Sequence, residues 1–334
     1  MFTSLKNVFF SFLAVVVLTI SCSSKNRDET AFTRNHVALE LKVSAPFRFV
    51  AFGDTRFHDP SDTGPSNPAI RHALVAAIDK ENPAFISIGG DIVYAGEDGK
   101  DWQNWDSETT VWREHKIPVY PALGNHDLKG NLQTALGNYF ARFPEIQQSR
   151  FYSVRAGNTL LLSLDSSLDE LSGPEGEWLR VQLDGLPASV DFVFLVFHHP
   201  SYTSSSDEKT YGGGHSARPS EQALAKYLEQ RQQHMRARIV VFNGHVHNYE
   251  RHEHGGITYF VSGGGGAHPY QIVRKPADLY KDNGVNYHYL LAEVDHNGLF
   301  ITMHKVEIKD GNEVWSTPDS VTITAPAALP AAAD

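Results

Sequence analysis

From Phe47 onward the chain repeats one order: a short, nearly unbroken apolar run, a polar motif, then a stretch with helical spacing. The runs are "FRFVAFGD", "AFISIGGD", "PVYPALGNHD", "DFVFLVFHHP" and "ARIVVFNGHVH". Short runs without polar alternation fit strands covered on both faces. "NPAIRHALVAAIDKEN" and "RPSEQALAKYLEQRQQHM" lie between them and carry helical patterns. Such alternation predicts α/β layers with mostly parallel strands. "SRFYSVRAGNTLLLSLDSS" reads as a hairpin turning at Gly157-Asn158. "GITYFVSGGGG", "YHYLLAEVDHNGLFITMHKVEI" and "VTITA" follow as further strands, with turns at Asn297-Gly298 and Asp310-Gly311. The expected architecture is two packed β-sheets with helices outside, one domain over residues 46–325. Trp102, Trp105 and Trp112 read as helical residues docking an aromatic face on the core, not as a ligand-stacking site.

The chain before Phe47 lacks this rhythm. The apolar stretch "VFFSFLAVVVLTI" behind Lys6 is short for a permanent membrane span and fits the core of a signal peptide over residues 1–22. Cys22 stands where a bacterial lipoprotein signal is cut and acylated, although Thr19 occupies the position where Leu is usual. An ordinary secretory cut nearby is the alternative. Export to the cell envelope is therefore expected, as a periplasmic or outer membrane-anchored lipoprotein, or else as a secreted protein. Residues 23–45 read as a polar tether, and the Ala/Pro-rich end, 326–334, as a frayed tail. Cys22 is the single cysteine, so no intrachain disulfide can form and stability must come from the core and bound metal.

Composition narrows the function. A chain of 334 residues with 41% hydrophobic and 20% charged side chains suits a globular protein of one large or two modest domains. A formal net charge of −10 argues against general nucleic-acid binding, which wants a basic face. It does not exclude phosphate chemistry, because the charge of a bound metal overrides the global field locally. The 17 histidines cluster in short stretches.

Each polar motif sits at the carboxyl end of its strand, the edge where open α/β sheets bind ligands. The residues converging there are Asp54, Asp91, Asn125, His126, His198, His199, His245 and His247. Carboxylate, amide oxygen and imidazole together suit Fe, Mn or Zn. With no thiolate available, a structural zinc finger is excluded. Glycines ahead of Asp54, Asp91, Asn125 and His245 permit sharp turns and close backbone approach. Singly, Gly-Asp and "GNHD" are common turn and cap residues. "GHVH" is stronger, since His245 and His247 would point the same way on an extended segment.

The ordered set "GDTR", "GDIVY", "GNHD", "FHHP" and "GHVHNYER" resembles the calcineurin-like metallophosphoesterases and, within them, the purple acid phosphatases. The resemblance implies a four-layer αββα sandwich with a dinuclear metal site at the strand ends. It assigns one metal to Asp54, Asp91, Tyr94 and His247, and the second to Asp91, Asn125, His198 and His245, with Asp91 bridging. His199 is the fallback for His198. Tyr94 would be a phenolate on Fe(III), a hard acid that favours an anionic oxygen. Two metal ions are implied, Fe(III) with Fe(II), Zn or Mn. The implied reaction is attack of metal-bound hydroxide on a phosphate ester. His126 would protonate the leaving oxygen or hold the phosphoryl group, with Asp127 orienting it. His215, in a glycine-rich loop, is the expected substrate contact. Arg56 and Arg218 are further cations whose direction the sequence leaves open, and His252, His254 and His268 are expected outside the ligand set. Three departures from the subfamily stand out: an arginine replaces the usual glycine in "GDTR", no extra β-sandwich domain precedes the catalytic region, and Tyr94 need not imply iron in bacterial relatives. The expected substrate is a small phosphomonoester; a phosphodiesterase for nucleotides or lipid head groups is the alternative. A non-catalytic binding lipoprotein is the reading from another class. No nucleic-acid partner is expected, and membrane contact only through the N-terminal anchor.

Overall fold

The computed structural model describes residues 37–205 and 215–327. The expected signal peptide, Cys22, most of the tether and the end of the tail lie outside the described residues. Two seven-stranded sheets pack face to face. With strands numbered along the chain, the first sheet runs β1 (Val37–Leu41), β5 (Tyr152–Ala156), β6 (Thr159–Ser163), β7 (Phe192–Phe197), β8 (Arg238–Asn243), β10 (Ile257–Ser262), β9 (Tyr249–His254). The second runs β13 (Asn312–Ser316), β12 (Gly298–Lys309), β11 (Tyr287–Val294), β2 (Phe47–Phe52), β3 (Ile86–Ile88), β4 (Val119–Pro121), with β14 (Ser320–Thr324) on β12.

The five runs that carry the polar motifs are β2, β3, β4, β7 and β8. The first three pair in parallel, as do the last two. The hairpin at Gly157-Asn158 forms, and β11, β12 and β13 follow as antiparallel neighbours. Both sheets are therefore mixed.

Alternate residues of β7 explain its unbroken apolar run. Phe192, Phe194 and Val196 face the second sheet. Val193, Leu195 and Phe197 face outward, with Trp178 and Leu179 of one helix, α5 (Gly173–Asp184), and Leu224 and Leu228 of another, α6 (Pro219–Gln232). Phe49 stacks on Phe85 of its own sheet at 4.7 Å and meets Phe194 across the seam at 4.9 Å. Three helices accompany the second sheet: α1 (Pro68–Lys80), α2 (Gly99–Glu108) and α3 (Thr110–Glu114). Asn67 caps α1 by accepting the amides of Ala69 and Ile70, and Pro68 opens the first turn. Trp102, Trp105 and Trp112 are all buried, and the Trp112 indole donates to the Val75 carbonyl at 3.1 Å. They are the aromatic dock that their spacing suggests. A further helix, α4 (Leu132–Arg142), follows the β4 loop.

One boundary shifts. Residues 37–41, inside the expected tether, form β1 and pair in parallel with β5. The alternation of Val37, Leu39 and Leu41 with polar or small neighbours turns one side onto the core, which a polar tether would not do. No helix among the described residues is long and apolar enough to cross a membrane.

Candidate metal centre

The loops after the five strands are stitched to one another by main-chain hydrogen bonds. Asp54 N donates to Gly90 O at 3.0 Å, Arg56 N to Asp91 O at 2.9 Å, and Gly244 N to His198 O at 3.0 Å. Asp54, Arg56, Asp91 and His245 all have positive φ, between 44° and 70°. Non-glycine residues reach that region at a cost and cluster where the surrounding structure over-determines them. Gly244 is required by close approach, since a Cβ there would lie 2.5 Å from Asp54 Oδ2.

Two groups of donors result. Ligand atoms of Asp54, Asp91 and His247 lie within 4.8 Å of one another, and so do those of His198, His199 and His245. Asn125 joins the second group, with Oδ1 at 3.0 Å from His198 Nε2 and 3.2 Å from His245 Nδ1. Asp91 Oδ1 lies 3.3 Å from His198 Nε2, which links the two groups.

Hydrogen bonds at the far side of each ring settle which nitrogens are bare. His198 Nδ1 lies 2.9 Å from Gly89 O, and His247 Nδ1 lies 2.5 Å from His268 O. A carbonyl only accepts, so Nδ1 carries the proton in both rings. Burial disfavours the charged form of both imidazoles, leaving Nε2 as a lone pair. The bare His198 Nε2 then faces the Asn125 carbonyl oxygen, and the bare His247 Nε2 faces Asp54 Oδ1 at 3.5 Å. Asp54 Oδ1 and His247 Nε2 are buried with no hydrogen-bond partner. Acceptors converging on acceptors in a dry site are satisfied by a cation between them. Burial first, then the neighbouring Asp91, push the Asp54 carboxyl well above its usual range; a bound cation would reverse that. The donor set fits metal ions on both sides of Asp91.

The other expected residues fall as follows. His126 Nδ1 lies 2.6 Å from the Tyr94 carbonyl, while its main-chain N–H donates to Asp91 Oδ1 at 2.8 Å. Asp127 does not touch the His126 ring. Its carboxylate accepts the amides of Ile92, Val93 and Gly124 and so binds the β3 loop to the β4 loop. The Tyr94 ring lies 5.3 Å from that of His126 and 5.1 Å from that of His58, with Lys129 Nζ 3.9 Å from its centre. His199 Nδ1 is paired with Ser166 Oγ at 2.9 Å, and its ring lies 4.4 Å from that of His245. His215 stands at the rim, 4.8 Å from the His245 ring.

"GHVH" is not extended. Val246 N donates back to Gly244 O at 2.9 Å around His245 at φ 70°, a γ-turn of the strained hand. His245 and His247 are thereby sent to different halves of the centre. Arg218 is spent on Glu221 and the Ser166 carbonyl. His252 lies against Glu250, and His254 stacks on Tyr202. Tyr270 had no motif to announce it. Its ring stacks on His247 at 4.3 Å and its hydroxyl meets His215 Nε2 at 3.2 Å.

The model of the calcineurin-like phosphoesterase family matches residues 47–249, a span that contains every residue of both donor groups. The chain belongs to the calcineurin-like phosphoesterase family. Its fold is similar to purple acid phosphatase PPD1 from yellow lupin (Lupinus luteus) seeds, at TM-score 0.62 and 20% identity over 84% of this chain and 54% of that one. This family member therefore spans about half the length of the lupin enzyme. It is also similar to GAP50, the anchor in the inner membrane complex of Plasmodium (TM-score 0.60, 17% identity, 84% of this chain and 89% of that one). A third similar structure is PhoD (TM-score 0.58, 11% identity, 85% and 71%). No curated protein sequence matches the chain.

Proposed function

We propose that the protein is an exported, metal-dependent phosphoric ester hydrolase that releases phosphate from small organic monoesters. The observation that carries the reading is the facing of bare acceptors in a buried site, His198 Nε2 on Asn125 Oδ1 and His247 Nε2 on Asp54 Oδ1. Asp91, Asn125, His198 and His245 would hold one cation. Asp54, Asp91 and His247 would hold the other, with Tyr94 as a phenolate donor where the ion is Fe(III). The purple acid phosphatase likeness favours Fe(III) with Fe(II), Zn or Mn. When bound, such a pair supplies Lewis acidity that activates water and offsets charge at phosphorus.

The chain's own groups do the rest. The Tyr94 carbonyl holds the Nδ1 proton of His126, so Nε2 is the exchangeable position. The ring gives a proton to the leaving oxygen or grips the phosphoryl group only as the doubly protonated imidazolium, a form that burial disfavours and the nearby Asp91 favours. His215 and Tyr270, hydrogen-bonded to each other at the rim, contact the organic part of the ester. Cys22 carries the lipid anchor.

The test is turnover of p-nitrophenyl phosphate and bis(p-nitrophenyl) phosphate by full-length protein, chelated and then reconstituted with each metal. Monoester hydrolysis that appears only with metal supports the reading. A clear diester preference moves it to the phosphodiesterase alternative. Metal uptake without turnover of either ester rejects catalysis and leaves a binding protein, a role for which GAP50, an anchor of similar fold, is a precedent. Membrane association that survives Cys22→Ala rejects the anchor.

A further inference from the structure

We propose that Arg56 is a resident cation in the Asp54–His247 half of the centre, so that the two metal positions load unequally. The inference rests on the metal-binding reading above and concerns the order and affinity of loading. Asp91 Oδ2 accepts two hydrogen bonds from Arg56, from Nε at 3.3 Å and from Nη2 at 3.0 Å. Asp91 is fully buried and the Arg56 side chain is 13% exposed, so water screens the pair poorly. The arginine is also pinned by its backbone. Its N–H donates to Asp91 O at 2.9 Å, its carbonyl accepts Ser66 Oγ at 2.8 Å, and its φ is 44°. A residue held by three such constraints does not drift aside freely.

The two oxygens of Asp91 are thus differently engaged. Oδ1 faces His198 in the histidine-rich half. Oδ2 is occupied by a guanidinium. A metal entering beside His198, Asn125 and His245 meets neutral donors and one carboxylate oxygen with no cation in contact. A metal entering beside Asp54 and His247 meets the poorly screened charge of Arg56, which already acts on both residues, and any use of Asp91 Oδ2 would first break a charge-assisted hydrogen-bonded pair. Arg56 therefore gates the second position, and at low metal it supplies the positive charge there.

Titration of chelated full-length protein with Mn(II), followed by calorimetry and elemental analysis, tests this. Wild type is expected to take one ion tightly and a second at least about tenfold more weakly. Arg56→Gln and Arg56→Ala should tighten the second step by about tenfold or more and leave the first unchanged. Arg56→Lys, which keeps charge and loses the fork, should keep the second step weak. Spin coupling between adjacent Mn(II) ions should appear at lower metal in Arg56→Gln than in wild type. Two equal steps in wild type, or a second step unmoved in Arg56→Gln with its melting curve intact, overturn the gate. Failure of wild type to bind any metal overturns the functional reading itself.

Discussion

Asp127 offers the sharpest quantitative test of how the centre is held. Its carboxylate takes the amide of Ile92 at 2.9 Å, of Val93 at 3.3 Å and of Gly124 at 2.9 Å, all buried. These amides flank the loops that present Asp91 and Asn125. Asp127→Ala leaves three donors without a partner, at about 1–3 kcal/mol for each buried group. Water entering the vacated space recovers part of that, so a loss of about 3–6 kcal/mol is expected. Asp127→Asn keeps an acceptor for Ile92 and Val93 and sets an N–H against Gly124, a loss of about 1–3 kcal/mol. Urea unfolding of the metal-depleted protein reads both values. Titration with metal should show affinity lowered by about 10–100-fold in Asp127→Ala, because the ligands lose their support. An alanine variant within about 1 kcal/mol of wild type and with unchanged metal affinity would refute the reasoning.

Three further outcomes follow from other parts of the molecule. Phe49→Ala removes the ring that stacks on Phe85 and spans the seam to Phe194, and should cost about 3–5 kcal/mol in urea unfolding; a cost under about 1 kcal/mol contradicts a continuous core. Glu170 is buried, and burial first, then Glu221, push its carboxyl from 4.5 up to about 8. Its folded value is the raised one, so the folded state holds a proton that the unfolded state gives up, and stability falls as pH rises between those two values by at most about 1.4 kcal/mol per unit. Melting temperatures compared at about pH 5 and about pH 8 should show this slope flattened in Glu170→Gln, and parallel profiles would dismiss it. His198→Ala should abolish uptake of the first metal ion whereas His199→Ala, which loses a ring anchored on Ser166, should retain it; equal losses by elemental analysis would make His199 a ligand too.

Much of the centre was legible because apolar runs mark where strands end and polar motifs mark what they present. Asp54, Asp91, Asn125, His198, His245 and His247 meet as that pattern implies. Local conformation was harder. His245 at φ 70° turns the chain inside a four-residue motif, and no residue type there announces a γ-turn. Asp127 follows His126 in sequence, yet its carboxylate is taken up by the amides of Ile92, Val93 and Gly124 while the His126 ring bonds to the Tyr94 carbonyl. The carbonyls of Gly89 and His268, which decide the histidine tautomers, belong to the main chain and leave no trace in side-chain identity. Arg56 shows the same limit from the other direction: its partner lies 35 residues on, and only the fold brings them together. β1 escaped notice because an edge strand with one covered face needs only three apolar positions among polar neighbours.

The donors come from opposite leaves of the molecule: Asp54, Asp91 and Asn125 follow strands of one sheet, and His198, His245 and His247 follow strands of the other. An ion seated among them would therefore act as a rivet through the seam as well as a reagent. Sliding one leaf past the other would break all of an ion's bonds to one of them together, so chelation should loosen the assembly along this plane.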